Sequence, residues 1–174
     1  MLITPGKMLC PQNARDFFRL VALLLLFVGC SASGPRFHDS SFATQPVATD
    51  KARIIFYRDS DMNLGAARIA IDGSRVGAVA HNGFIVTENE PGEHKISARA
   101  RGFSFFQEFV VDISLEAGRT YYMRVSQRAE RLFYPLIPVV GAFVMLADSK
   151  GEFQVELMPE ATALQQLREL KLSE

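Results

Sequence analysis

The chain has 174 residues, of which 48% are hydrophobic and 22% are charged. This composition is typical of a folded globular protein and leaves room for one domain. Its 19 basic and 19 acidic residues cancel, so no net positive charge attracts nucleic acid. The two cysteines, Cys10 and Cys30, stand in the first 30 residues. We therefore expect stability to come from an apolar core and not from a disulfide.

An apolar run occupies residues 20–28, after a leader that carries Lys7, Arg15 and Arg19. Nine residues span about 14 Å as a helix, whereas a membrane span needs about 20 residues. The run is therefore predicted to be the hydrophobic region of a signal peptide over residues 1–29. Cleavage there would leave 16 basic and 18 acidic residues, which argues further against a nucleic-acid partner.

The run ends in Phe27-Val28-Gly29-Cys30, which resembles the lipobox of bacterial lipoproteins. The resemblance implies cleavage between Gly29 and Cys30, acylation of Cys30 and attachment to a membrane through its acyl chains. Ser31 in place of aspartate favours the periplasmic face of the outer membrane within the cell envelope. The alternatives are an ordinary secretory signal cut near Ala32 and an anchor that is not cut.

The remainder divides into a tether and a β-rich domain. Small and polar residues with two prolines fill positions 31–50, which predicts that residues 30–50 form a lipidated cysteine and a flexible tether. Over residues 51–158, β-branched and aromatic runs alternate with turn residues such as Asp72-Gly73, a strong hairpin signal. This pattern predicts an all-β fold, an antiparallel β-sandwich of about seven or eight strands in a meander-like order.

The C-terminal residues 159–174 have a different pattern. Leu164, Leu167 and Leu170 recur at intervals of three behind Pro159, which predicts a short amphipathic helix. Packing against one sheet is the simpler interpretation of that helix, and a tail that binds a partner is the alternative.

Several segments carry a resemblance to a known family: residues 52–58, Ile71-Asp72-Gly73, Pro91-Gly92-Glu93-His94 and residues 116–122. Their order resembles the bacterial domain-of-unknown-function family 2846 over roughly residues 50–158, and two of them are similar to PEGA-type surface β-domains. The resemblance implies a β-domain carried by lipoproteins, with no assigned biochemical role. Since these elements are turns and strands, they indicate structure and not catalysis.

Residues that carry chemistry are few. His38, His81 and His94 do not have the spacing of a zinc motif. The sequence contains no nucleophile elbow, phosphate loop or dinucleotide fingerprint. We therefore expect no metal, no cofactor and no enzymatic activity. A catalytic triad assembled from distant positions remains the basis of a hydrolase alternative.

Two neighbouring segments are candidates for contact with a membrane or a partner. Arg124, Arg128 and Arg131 form a basic cluster that suits lipid head groups or an anionic glycan, and arginines on a solvated hairpin are the simpler interpretation. Residues 132–147 carry no charge and include Val140 and Val144. Burial in the core is one interpretation of this stretch, and an exposed apolar hairpin is the other.

These patterns predict a lipid-anchored, non-enzymatic β-domain of the cell envelope. Its expected partners are the membrane, through acylated Cys30, and an envelope protein or glycan. A carbohydrate-binding or peptidoglycan-binding module is the alternative, and an envelope hydrolase is a third possibility.

Overall fold

The computed structural model describes residues 32–59, 65–100, 108–128 and 151–173. Within them, nine strands form two sheets and one α-helix follows the eighth strand. The elements are β1 (Ala52–Arg58), β2 (Ala67–Ile71), β3 (Ser74–Val79), β4 (Gly83–Asn89), β5 (Gly92–Ala100), β6 (Phe109–Leu115), β7 (Thr120–Gln127), β8 (Phe153–Met158), α1 (Glu160–Leu167) and β9 (Lys171–Leu172).

The two sheets pack face to face. One has five strands in the order β8-β7-β1-β4-β9, and the other has four in the order β3-β2-β5-β6. Ile54 and Phe56 of the first sheet share one apolar core with Ile69 and Ile96 of the second. The predicted all-β sandwich with a short C-terminal helix is confirmed.

The five-stranded sheet is mixed, although the sequence predicted antiparallel strands. β1 pairs with β7 in parallel, and β4 pairs with β9 in parallel. The other pairings in the described segments are antiparallel. The cause lies in the connections between neighbouring strands of this sheet. After β1 the chain forms β2 and β3 in the other sheet before it returns as β4, and after β4 it forms β5 and β6 there before it returns as β7. The meander order therefore holds only within the hairpins β2–β3, β5–β6 and β7–β8.

β1 is buried along its whole length because both of its faces are covered. Ile54 and Phe56 face the core between the sheets. Ile55 and Tyr57 belong to a second apolar cluster, which also contains Leu167 of α1. The uninterrupted apolar run in this strand is thus the mark of burial on two faces.

Helix α1 is shorter than the predicted segment of residues 159–174. It ends at Leu167, and the chain then turns and joins the sheet as β9. The buried side chains are Ala163, Leu167 and Leu170, whereas Leu164 is 40% exposed. The helix therefore packs on the sheet through Ala163 and Leu167, and Leu164 is not part of the buried face.

The predicted flexible tether takes a different form in the structure. Residues 32–45, named here the strap, lie against the outer face of the five-stranded sheet. The backbone N–H of Gly34 donates to the carbonyl of Leu172 (3.0 Å), and the N–H of Phe37 donates to the carbonyl of Leu170 (2.9 Å). The Phe37 ring is 5% exposed and meets the Phe84 ring edge-on, with 5.3 Å between centroids. One aromatic side chain and backbone pairing hold a segment whose composition is otherwise that of a linker.

Candidate functional site

The sandwich has two chemically different ends. At one end β1 finishes beside the start of β4, with Arg58 opposite Gly83. β7 finishes there beside the start of β8, with Gln127 opposite Phe153. The strap starts at the same end, named the strap end. The opposite end, which carries the β2–β3, β4–β5 and β6–β7 turns, is named the turn end.

The first residue of the strap is held in a close contact. The N–H of Ala32 donates to the carbonyl of His81 (3.3 Å), and Ala32 is 9% exposed. Gly83 leaves the space for this approach, since a Cβ added there would lie 2.8 Å from the Cβ of Ala32. The hydroxyl of Ser173 accepts a bond from the N–H of Ala80 (3.1 Å) beside it. The chain is therefore fixed to the fold from Ala32 onward.

A buried arginine fastens the other end of the strap. The Arg53 side chain is 4% exposed and forms an ion pair with Glu88 (2.8 Å). Its guanidinium also donates to the carbonyls of Gln45 (2.6 Å) and Pro46 (3.3 Å). The forked donors of arginine suit this use, because one side chain can bond a carboxylate and two carbonyls at once. The sequence analysis missed Arg53, whose place in an apolar strand is the only signal for it.

Two of the predicted contact residues lie at the strap end, and both have partners within the fold. Arg124 donates to Asp59 (3.0 Å), and its side chain is 31% exposed. The Arg128 guanidinium lies 5.8 Å from the centroid of the Phe109 ring. The remaining predicted site residues fall outside the described segments: Gly29, Cys30, Arg131, Val140 and Val144.

His94, at the turn end, has both ring nitrogens close to oxygen atoms of the fold. Its Nδ1 lies 2.6 Å from a carboxylate oxygen of Asp72, and its Nε2 lies 2.9 Å from the carbonyl oxygen of Glu90. Both partners are acceptors, so the imidazolium form, which donates from both ring nitrogens, satisfies both contacts. The hydrogen bond to Asp72 accordingly raises the pKa of His94. The backbone N–H of Lys95, followed by His94, lowers the pKa of Asp72. This pair cross-links two turns and is poorly suited to act as a base.

The other histidines are also in contact with protein groups. His38 has its Nδ1 2.8 Å from the carbonyl oxygen of Arg168 and its Nε2 3.1 Å from Asp39. His81 uses its backbone carbonyl to hold the start of the strap. Within residues 32–59, 65–100, 108–128 and 151–173, no three histidine, cysteine or carboxylate side chains are grouped as a metal site would require. In these same segments no helix has the length and apolar character needed to cross a bilayer.

Residues 48–133 match the family described as "Protein of unknown function (DUF2846)". The chain carries a DUF2846 domain. The resemblance predicted from the turns and strands is therefore confirmed, over a shorter range than the expected residues 50–158. No curated protein matches the chain.

The DUF2846 match runs from just before β1 to just after β7. It includes the whole four-stranded sheet and the three central strands of the other sheet. The strap, β8, α1 and β9 lie outside it. In this chain the DUF2846 strands thus supply the sandwich core, and the flanking segments complete one sheet and cover its outer face.

The DUF2846 strands also form a basic cleft on the four-stranded sheet, which the sequence analysis did not identify. The cleft has a volume of about 310 Å³, and Arg68, Arg75 and Arg99 line it together with Glu108. These residues come from three strands and from the residue before β6. Their sequence separation explains the omission, since only the strand register brings them together.

Proposed function

We propose that this DUF2846 protein is a lipid-anchored, non-enzymatic lipoprotein of the cell envelope that binds a partner close to the membrane surface. The observation that carries the proposal is that Ala32, two residues after Cys30, is buried and bonded to the His81 carbonyl. Cleavage before Cys30 would keep this contact and the other contacts among residues 32–173.

The same contact argues against a secretory signal that is cut directly before Ala32. Cleavage there would place a charged amino group where the Ala32 N–H now lies against the His81 carbonyl. Burying a charge with one acceptor is costly. A cut before Cys30 instead places the new amine in a segment that can be acylated.

The short spacing also suggests an orientation. Two residues span at most about 7 Å, so acyl chains on Cys30 would hold the strap end against the bilayer. β7 ends and β8 begins at this end, and the uncharged residues 132–147 lie between these strands in the sequence. Contact of Val140 and Val144 with lipid stays a prediction within this proposal. The turn end, with His94, would face away from the membrane.

A binding role is favoured over the hydrolase alternative by the contacts of His38 and His94. Both ring nitrogens of His94 are engaged with acceptors, and the hydrogen bond to Asp72 raises its pKa, which makes it a poorer general base at neutral pH. His38 is engaged with a carbonyl and a carboxylate.

Fatty-acid labelling tests the anchor. The wild type, Cys30→Ala and the matched control Cys10→Ala are expressed in bacteria fed an alkyne fatty acid, and membrane protein is analysed by in-gel fluorescence and intact mass. We expect label on the wild type and on Cys10→Ala, loss of residues 1–29, and no label on Cys30→Ala. Label on none of the three, or a mature chain that begins at residue 32, would refute the lipoprotein proposal.

A further inference from the structure

Three arginines differ from the others in the part of the chain that the structure describes. Arg68, Arg75 and Arg99 form no ion pair, hydrogen bond or ring contact with a described residue, and all three line the cleft on the four-stranded sheet. By contrast, the other described arginines have partners. Two lie over a phenylalanine ring, Arg58 and Arg128. Five form an ion pair with a carboxylate: Arg36, Arg53, Arg119, Arg124 and Arg168.

The arrangement in the cleft opposes stability. Arg68 lies directly opposite Arg99 in the register of β2 and β5, and like charges facing each other across two strands destabilise a sheet. The Nε of Arg68 is also buried without a hydrogen-bond acceptor among the described residues. A buried donor without an acceptor is costly. Both costs would be removed by an anion in the cleft.

The cleft has the size and charge of an anion site. Its volume of about 310 Å³ is at the lower end of the range of about 300–1,000 Å³ that small-molecule sites occupy. Three guanidinium groups face one carboxylate, Glu108, with which none of them forms an ion pair in the described segments. Ala70 and Gly73 complete the lining and leave room above the strands.

We propose that this cleft binds a phosphate group, with the forks of Arg68 and Arg99 as paired donors and Arg75 bonding it from β3. Arginine forks match the geometry of phosphate oxygens. A tetrahedral phosphate presents oxygens in several directions and can accept from three strands at once, whereas a planar carboxylate is satisfied by one or two forks. The inference names a ligand class for the binding role proposed above, on which it rests, but it does not depend on the lipid anchor.

The test is calorimetric titration of the full chain in uncharged detergent, with inorganic phosphate as the first probe. Arg68→Gln and Arg99→Gln are compared with Arg119→Gln and Arg168→Gln, which remove the same charge at exposed positions that do not line the cleft. We expect saturable binding to the wild type. Because a hydrogen bond to a charged group contributes about 1.5–3 kcal/mol, each cleft substitution should raise the Kd about tenfold or more. The two control variants should bind as the wild type does.

Thermal unfolding gives a second readout that a damaged fold could not imitate. Without phosphate, Arg68→Gln and Arg99→Gln should unfold at or above the wild-type Tm, because the substitution relieves repulsion. With phosphate, the wild-type Tm should rise while the Tm of these two variants stays unchanged.

A soluble lipid, compared with inorganic phosphate, then identifies the source of the phosphate group. Stronger binding of dihexanoylphosphatidylglycerol than of inorganic phosphate, lost in the cleft variants, would identify a lipid head group. Binding of inorganic phosphate alone would identify a soluble ligand, and both results support the site. The absence of saturable binding by any probe, or an equal loss in the control variants, would overturn it. Since none of these substitutions touches Cys30, fatty-acid labelling tests the anchor separately.

Discussion

Phe37→Ala tests whether the strap is an integral part of the fold. The side chain is 5% exposed, and burying a phenylalanine contributes about 1.5–3 kcal/mol. The edge-on contact with Phe84, at 5.3 Å and 85°, adds about 0.5–1.5 kcal/mol. We therefore expect Phe37→Ala to lower the free energy of unfolding by about 2–4 kcal/mol, measured by urea titration of the mature chain.

The loss of unfolding free energy in Phe37→Ala cannot exceed the free energy with which the strap docks on the sheet. Once the strap has detached, the substitution removes no further contact. Limited proteolysis is therefore the companion assay, and cleavage within residues 33–50 should become faster in Phe37→Ala. Ser41→Ala, an exposed change in the same segment, should stay within about 0.5 kcal/mol of the wild type. If Phe37→Ala changes neither the unfolding curve nor the cleavage rate, the strap is a loose tether and the reasoning fails.

Three further substitutions examine the contacts around the strap and the turns. Gly83→Ala would bring a Cβ against the Ser173 hydroxyl and within 2.8 Å of the Ala32 Cβ at the start of the strap, whereas Gly77→Ala would meet only the Ile85 side chain, at 3.2 Å. We expect urea titration to show that Gly83→Ala lowers the free energy of unfolding by about 1–3 kcal/mol and that Gly77→Ala lowers it by less than half as much. Equal losses in the two variants would count against the close contact at Gly83. Arg53→Lys keeps the charge but loses the several N–H donors of the guanidinium, so it should lower the free energy of unfolding by about 1–3 kcal/mol. It should also speed thermolysin cleavage between residues 44 and 51. An unchanged cleavage rate would contradict the role of Arg53 in holding Gln45 and Pro46. The raised pKa of His94 means that its stabilising bond is complete below the unfolded value of 6.5 and is lost as the pH rises through the folded value. From about pH 6 to about pH 9, the unfolding free energy of the wild type should therefore fall more than that of His94→Gln, and parallel curves would contradict this.

Local turn chemistry was the most informative part of the sequence. Asp72 and Gly73 have φ values of 51° and 78°, the two positive angles that a tight hairpin turn requires. The strands on either side, β2 and β3, pair as the alternating pattern predicted. Features of this kind depend on a few adjacent residues, and such features can be predicted from one sequence.

The strap could not be predicted in this way. Its stability depends on Phe37 and on backbone bonds to residues 170–172, which are more than 130 positions away. A segment without apolar periodicity gives no sign of such pairing. The helix shows a related effect, because leucines at intervals of three suggested Leu164 as a buried position, whereas Ala163 is buried and Leu164 is 40% exposed.

The basic cleft was missed for a different reason. Arg68 and Arg99 stand 31 positions apart and become neighbours only through the register of β2 and β5. Arginines on exposed strand faces are common, so neither residue is unusual alone. The informative property is the absence of a described partner for either one, and that property exists only in three dimensions.

The pairing of the strap with residues 170–172 also sets an order on biogenesis. A chain that is synthesised from its N-terminus has a complete strap long before it has Leu170 and Leu172, with which the strap forms backbone hydrogen bonds. During that interval the outer face of the five-stranded sheet, with Phe84 and Tyr57, lacks its cover and is open to chaperones, proteases and other chains. A stop codon only a few positions early would prolong this state indefinitely, so quality control should respond to small C-terminal truncations far more strongly than the length removed would suggest.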